Sequence, residues 1–398
     1  MLSSTEIKTS LALGSIFAFR MLGLFMILPV FSIYATHLPY STPTLIGLAL
    51  GIYGLTQALL QLPFGIWSDF TSRKQVIFIG LIIFAIGSVL AGISNTIYLI
   101  ILGRALQGAG AIGSSTIALV GDLTSEQNRS KAMAIVGVTI GISFVVAIIL
   151  GPIFAHWIGV PGIFWLTAVF AFIGIWILWS YVPTPAIQHR EFNLSILPAQ
   201  LKTVFLNANL FRFNLSILIS HAILTATFLV LPTILIHQFH FALNQQWLVY
   251  LPILLLVVLF IGSIMRRAHF AEKERRWILW CVFLIFAAQG SLLSVNTAYM
   301  GKWQLYTTLY FFFLGFTFLE ALLPAMVSKI LSADYRGTAT GVFSSCQFLG
   351  IFLGGLWGGL LAQKYQYFGV FLGNTLLAFL WLIIMLPLWF NKTYERKN

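Results

Sequence analysis

Stretches of largely apolar sequence, each long enough to cross a bilayer, alternate with short polar interruptions along the 398-residue chain. Twelve are recognisable, at about 8–36, 44–68, 75–95, 97–121, 131–155, 160–182, 210–237, 246–266, 276–296, 303–328, 336–362 and 366–391. A hydrocarbon core of about 30 Å takes about 20 helical residues to cross. The runs are continuously apolar, whereas a barrel strand alternates between lipid-facing and lumen-facing residues. An all-α membrane protein with twelve transmembrane helices is therefore predicted. Apolarity drops across 183–209, where Pro183, Pro185, Arg190, Glu191, Pro198 and Lys202 fall. The chain is thereby divided into an N-terminal six-helix half (1–182), a linker (183–209) and a C-terminal six-helix half (210–398).

An internal echo accompanies this division. A shift of 207 residues sets the loop from Ser125 to Ala132 beside that from Ser332 to Ala339, with Arg129 opposite Arg336, and sets Gly108 beside Gly315. The echo joins the loop after span four to the loop after span ten, as two parallel repeats about an axis along the membrane normal would; chance similarity of short loops is the alternative. Gly47/Gly51, Gly137/Gly141 and Gly350/Gly354/Gly358 follow the small-xxx-small spacing that lets helix backbones approach in lipid. Spans two, five and eleven are thus candidates for tight packing, either between the halves or within one.

Composition agrees with the pattern. Charged residues make up 8% of the chain, against roughly 25% in soluble domains, and mean hydropathy is +0.95. The net charge of +12 reflects topology and not a nucleic-acid partner. All but four of the 22 Lys and Arg lie at the ends and loops sharing the side of the N-terminus; Lys302 and Lys364 lie opposite, and Arg20 and Arg104 fall within spans. The positive-inside rule then makes both termini and the linker cytoplasmic. The densest basic run, Arg266, Arg267, Lys273, Arg275 and Arg276, is broken by Glu272 and Glu274. The first span is too long for a secretory signal and carries Arg20 in its middle, so it is expected to be retained. Cys281 and Cys346 both lie in spans, and neither a disulfide framework nor a metal-ligand spacing is present.

The few polar residues inside spans are the candidate functional groups. Arg104, Gln107 and Gly108 share a helix face, which Ser114 and Ser115 extend. A charged side chain at the bilayer centre costs roughly 2.5–3.5 kcal/mol on insertion scales, so Arg104 should face a cavity or a partner, unless it snorkels to the membrane face. Glu320 is the only acid inside any apolar span. A carboxyl there could carry a proton across, serve as a hydrogen-bonded structural group, or pair permanently with Arg20 or Arg104. Tyr53, Gln57 and Gln61, at successive turns of span two, are candidates with Gln107, His221 and Gln347 to line a mostly apolar substrate cavity. At the end of span two stand Gly65, Asp69, Arg73 and Lys74; Asp69 and Arg73 can pair across one turn, and Asp122 offers a second acid. Span five contains Gly151-Pro152.

These motifs together resemble the major facilitator superfamily, and within it the twelve-span drug/proton antiporter group. The resemblance rests on Arg20 to Val30, Gly51 to Ala58, Leu102 to Gly108, Asp122 to Arg129, Glu320 to Pro324 and Gln347 to Gly350, and it covers essentially the whole chain. It implies the major facilitator fold of two pseudo-symmetric halves, in a bacterial inner (plasma) membrane. It also implies that Asp69, Arg73 and Asp122 latch the outward-open state, and that the Arg104 position takes part in proton coupling. Two residues depart from the loop motif, where Phe70 and Ser72 replace an arginine and a glycine. In span five Ala147 and Ala155 stand at glycine positions of the antiporter motif, around a helix kink at Gly151 and Pro152. Regulation through a soluble C-terminal domain is not expected, since only Lys392 to Asn398 follow the last span.

The function expected is proton-coupled efflux of a small, largely apolar or weakly charged molecule by alternating access. The site residues are Glu320, Arg104 and Arg20 for coupling, and Gly65, Asp69, Arg73, Lys74 and Asp122 for the conformational switch. The expected partners are the substrate, protons and the lipid bilayer, with the chain a monomer and with neither cofactor nor metal. A proton-coupled importer of a neutral metabolite is the alternative within transport. A membrane-embedded enzyme would need a convergent catalytic set, and a sensor on the same scaffold would need a signalling domain.

Overall fold

A computed structural model describes residues 3–184, 197–265, 274–296, 300–330 and 333–387, and every regular element among them is helical. The first half comprises α1 (Ser4–Phe25), α2 (Phe31–Ala35), α3 (Pro43–Phe70), α4 (Arg73–Gly92), α5 (Ile97–Ala109), α6 (Gly113–Asp122) and α7 (Arg129–Tyr181). After α8 (Leu197–Leu206) come α9 (Ala208–His237), α10 (Trp247–Met265), α11 (Glu274–Leu292), α12 (Lys302–Ile330) and α13 (Ala333–Met385). The starts are written in the sequence. Ser3 and Glu6 close a capping box on α1, Thr42 caps α3 ahead of Pro43, Thr96 caps α5, and Asn207 caps α9. Each cap satisfies N–H groups that have no partner within the helix.

Ten helical segments are long and apolar enough to cross a membrane. Two of them, Lys131–Tyr181 and Thr338–Met385, have 51 and 48 residues, more than twice what one crossing needs. Each folds back at a single residue of positive φ: Gly159 (φ 71°, ψ 170°) in α7 and Gln366 (φ 55°, ψ −148°) in α13. Counting both limbs gives the twelve crossings. Gly159 and Gln366 stand at the same offset that aligns the two loops in the sequence. Spans one and four are each broken once, between α1 and α2 and between α5 and α6. The stretch 183–209 is not uniformly a linker, because it holds α8 and the start of α9; residues 185–196 lie outside the described residues. So do Arg266, Arg267, Glu272 and Lys273 of the basic run and Ser332 of the loop echo.

Within each half the long hairpins organise the packing. α7 lies along α1 and α4, and α13 lies along α9 and α11. The halves meet chiefly where α3 runs beside α13. A Cβ on Gly47 would fall 2.1 Å from the Gly355 carbonyl oxygen, one on Gly54 2.2 Å from that of Phe348, and one on Gly359 2.8 Å from that of Pro43. Ser345 Oγ also donates to the Ala58 carbonyl at 3.3 Å. This seam follows α3 from the face opposite the N-terminus, here the far face, as deep as Ala58. Beyond it α3 turns to α6, with Ser114 and Ser115 donating to the Gln61 and Phe64 carbonyls.

The glycine spacing divides accordingly. Gly47 and Gly51 do lie in a tight interface between halves. Gly350, Gly354 and Gly358 pack within one half, against Leu218, Ala222 and Ala226 of α9. Gly137 and Gly141 have no neighbour within 4 Å where a Cβ would stand, so span five contributes no tight contact there. The register facing α3 is instead Gly355 and Gly359, each immediately following a glycine that faces α9.

A non-glycine residue at φ 55°, ψ −148° occupies backbone space used almost only by glycine, at a cost of order 1–3 kcal/mol. Gln366→Gly is expected to raise the thermal midpoint in detergent, and Gly159→Gln to lower it. An unchanged midpoint in both variants would mean that the turns carry no strain.

Candidate functional site

The span-buried polar residues gather into two groups, one in each half. In the first, Arg20 on α1 is buried at 1% exposure and its Nη2 donates to Gln57 Oε1. Gln57 Nε2 in turn donates to Gln61 Oε1 at 3.1 Å. The Arg20 guanidinium lies 5.7 Å from the Tyr53 ring centre and 5.3 Å from that of Phe84. Arg104 reaches the same tyrosine from α5, 5.1 Å from the ring centre. Two cations therefore share one aromatic ring, an attraction that strengthens out of water. Arg104 also donates to Gln107 Oε1 at 2.9 Å and to the carbonyls of Ala49 and Leu50 at 3.3 and 3.4 Å. Gln107 passes the chain on to Ser88 Oγ at 2.8 Å. Arg104 thus does not snorkel.

Close helix approach makes these contacts possible. A Cβ on Gly108 would fall 2.1 Å from both the Tyr53 carbonyl oxygen and Thr56 Oγ1. One helical turn before that contact, Arg104 is carried over Tyr53. Arg20 is less completely satisfied: its Nε and Nη1, and the Tyr53 hydroxyl, have no hydrogen-bond partner.

In the second half Glu320 on α12 meets His221 on α9 and Gln347 on α13. His221 Nδ1 lies 3.1 Å from the Ile217 carbonyl and 3.6 Å from Glu320 Oε1. Gln347 Nε2 lies 3.0 Å from His221 Nε2 and donates to Glu320 Oε2 at 3.3 Å. The pattern requires a proton on His221 Nδ1 and a free lone pair on Nε2. Glu320 Oε1 has no hydrogen-bond partner. His221 is 1% exposed, whereas the Glu320 side chain retains 31% of its surface. Rings from both halves crowd the group: His221 stands edge-on to Phe316 at 5.3 Å, and Phe316 lies 5.6 Å from Phe144 of α7. Glu320 therefore neighbours His221 and Gln347 instead of forming a pair with Arg20 or Arg104.

Of the residues expected to line a cavity, Tyr53, Gln57, Gln61, Gln107 and His221 are all buried in these networks, and only Gln347 keeps intermediate exposure. At the C-terminal end of α3, Arg73 Nη1 pairs with Asp69 Oδ1 at 2.9 Å and Nε with Asp122 Oδ2. These ion pairs join α3, α4 and α6, helices of one half, and coexist with the closed seam at the far face. Gly65 permits the approach, since a Cβ there would lie 3.0 Å from Ser114 Oγ. Lys74 does not join the cluster; it points the other way, donating to the Val182 carbonyl at 2.7 Å with its ammonium 4.8 Å from the Trp179 ring. At Gly151 and Pro152, Gly151 lets the Met26 carbonyl approach to within 2.4 Å of a would-be Cβ, and the chain reverses into span six at Gly159.

Sequence reasoning missed two polar clusters. Thr227, Gln289 and Asn374 join α9, α11 and α13 through bonds of 3.1–3.3 Å; lone amides inside apolar spans were the available signal. The Glu6 carboxylate accepts from Ser125 N and Oγ at 2.9 Å and from Asn128 Nδ2 at 3.0 Å, tying the start of α1 to the loop before α7.

Two six-span halves, apolar outside and carrying buried ionisable groups inside, define a polytopic membrane transporter. A family model described as Major Facilitator Superfamily matches residues 13–355, and the chain belongs to that superfamily. It is 41% identical over 382 residues to the inner membrane transport protein YajR of Escherichia coli (strain K12), covering 95% of this chain and 83% of that protein. It is 36% identical over 383 residues to an uncharacterized transporter of Buchnera aphidicola subsp. Schizaphis graminum (strain Sg), covering 95% and 96%. Among solved structures, a bacterial homolog to the human lysosomal transporter Spinster, in an inward-facing and occupied conformation, superposes with a TM-score of 0.75 at 12% identity, covering 100% of this chain and 99% of that one. The human organic anion transporter MFSD10 (TETRAN) does so at 0.68 and 18%, covering 96% and 100%. The chain is thus a transporter and not an enzyme.

Replacing a buried ion by an apolar side chain of similar volume is often neutral or stabilising. Arg20→Met, which leaves Gln57 bonded to Gln61, is expected to keep or raise the thermal midpoint in detergent. A loss of more than about 3 kcal/mol, the cost of breaking a buried charge pair, would reveal an anionic partner for the guanidinium. Arg73→Gln, at a partly exposed ion pair, is expected to cost no more than about 1 kcal/mol, measured the same way.

Proposed function

We propose that the protein exports a small, largely apolar or weakly charged molecule by proton-coupled antiport, with Glu320 as the proton carrier. One observation carries this reading. Glu320 is a carboxyl within an apolar bundle, its described polar contacts are His221 and Gln347, and its buried Oε1 lacks a hydrogen bond. A carboxyl held by a permanent cation would have no reason to exchange its proton. A proton crossing 100 mV supplies roughly 2.3 kcal/mol, enough to drive export against a substantial gradient. The phenylalanines around the group favour a substrate with apolar surface.

The seam between α3 and α13 supports alternating access. Closed at the far face and ending at Ala58, it leaves the opposite ends of these helices free to part. Arg73, Asp69 and Asp122 hold the end of α3 to its own half, so α3 moves with α4 and α6 as one body when the halves rock. Arg104 and Arg20 keep the interior of the first half positive. The basic ends place both termini on the cytoplasmic side of a bacterial inner membrane. The protein works as a monomer, since each copy contains both halves of the site.

Proteoliposomes carrying a pH-sensitive dye and an imposed gradient of candidate substrates test the proposal. For wild type, proton movement opposite to the substrate is expected; movement in the same direction identifies an importer. Glu320→Gln is expected to reduce substrate-driven proton movement to the level of protein-free vesicles. Unaltered flux in that variant removes Glu320 from the mechanism.

A further inference from the structure

The acid group and the seam between halves meet in one dipeptide of α13. Gln347 contacts both His221 and Glu320 through a single amide nitrogen. The next residue, Phe348, forms the seam: its carbonyl oxygen lies 2.2 Å from where a Gly54 Cβ would stand, and its ring lies 6.1 Å from that of Tyr53. Tyr53 is the ring shared by Arg20 and Arg104. We propose that Gln347 is a positioning residue that conveys the protonation state of Glu320 to the seam through Phe348. This role rests on the reading of Glu320 as proton carrier.

The chemistry of the amide supports it. Both N–H groups of Gln347 are directed at acceptors, one a lone pair and one a carboxylate oxygen. A hydrogen bond to a charged acceptor is roughly twice as strong as one to a neutral acceptor, so protonation at Oε1, the oxygen without a partner, weakens the contact at Oε2. Protonation at Oε2 likewise leaves only a neutral acceptor, and protonation at His221 Nε2 sets donor against donor, so that the amide has to turn or withdraw. Side chains of adjacent helical residues are fixed about 100° apart, so a rotation of α13 that releases Gln347 also carries Phe348 off Gly54 and Tyr53. The glycine contacts give that rotation little steric resistance from side chains.

Few groups compete to read the acid. On α9, His221 faces the carboxyl. On α10, Tyr250 turns to Phe228 and Phe313. On α11, Cys281 lies beneath Gly315, whose would-be Cβ is 2.7 Å from the cysteine's carbonyl oxygen. Cys346 sits beside Gln347 on α13. From the first half, Arg20 and Arg104 stand behind Tyr53.

The test uses spin labels at Tyr98→Cys and Trp303→Cys, far-face positions on opposite halves that are 56% and 85% exposed, with Cys281 and Cys346 replaced by Ala. Interspin distance is measured against pH in nanodiscs. Titration of Glu320 is followed separately as the carboxyl infrared band missing from Glu320→Gln. In wild type the distance distribution should shift over the pH range in which the band titrates. In Gln347→Leu the band should still titrate while the distance becomes independent of pH, and Phe348→Ala should behave alike. Gln347→Met, which keeps the side-chain length, provides the same test if the leucine variant fails to fold. A full distance response in either Gln347 variant overturns the proposal and leaves Glu320 as carrier untouched. A response that persists in Glu320→Gln, or its absence from wild type, overturns it together with the gating role of the acid.

Discussion

Two guanidiniums lie inside the first half, and much of that half is arranged around them. In hydrocarbon a cation must find its stabilisation within the protein. Arg104 does so with a glutamine, two backbone carbonyls and the face of Tyr53; Arg20 has one glutamine and two aromatic faces. The position of α5 against α3, and the glycine that permits it, follow from bringing Arg104 to that ring. The chains Arg20–Gln57–Gln61 and Arg104–Gln107–Ser88 then link four helices. The second half holds its polar groups differently, with a threonine, a glutamine and an asparagine bound to one another and a carboxyl left with one buried oxygen unbonded. One half therefore holds its cations in bonded chains, and the other holds the acid.

Contact between the halves is made mainly of backbone. Along α3 and α13 the opposed groups are glycines and carbonyl oxygens, so no large side chains have to withdraw when the helices separate. Dispersion between close backbones holds the surfaces, and weak contacts summed over several turns can be reversed by a modest bias. α13 also has to pack on α9, and the doublets Gly354-Gly355 and Gly358-Gly359 serve both neighbours at once. Adjacent residues point about 100° apart, so one member of each pair meets α9 and the other meets α3.

Much of this was legible in the chain. Hydropathy located every crossing, because hydrocarbon imposes the same length and apolarity on each. The lone acid, the two span-buried arginines and the glutamines on α3 stood out because polar groups in such spans are costly. What could not be read was which of them meet. Three-dimensional packing sets His221 against Glu320 and Gln347, which lie about a hundred residues further along the chain. Lys74 was grouped with Arg73 by adjacency, although helical geometry sends the two to opposite sides. Spacing of four selected Gly350, Gly354 and Gly358 and overlooked Gly355 and Gly359, since a spacing rule finds a glycine face without finding the helix it meets. The connection between spans five and six is a single residue, Gly159, where a backbone of positive φ lets the chain reverse.

The hairpins at Gly159 and Gln366 also determine how the protein presents itself from outside the bilayer. A reversal accomplished at one residue leaves almost no protruding chain, so two of the connections on that face offer little to a protease, an antibody or an inserted tag. Loop tips with accessible backbone are where cleavage and insertion are best tolerated, and among the described residues on that face they include the segments around Leu38–Ser41 and Gln238–Phe241. A binding reagent raised to the far face should therefore contact these two segments, one from each half. Such a reagent would bridge the two bodies that must separate during transport, and would act as an external clamp without entering the substrate pathway.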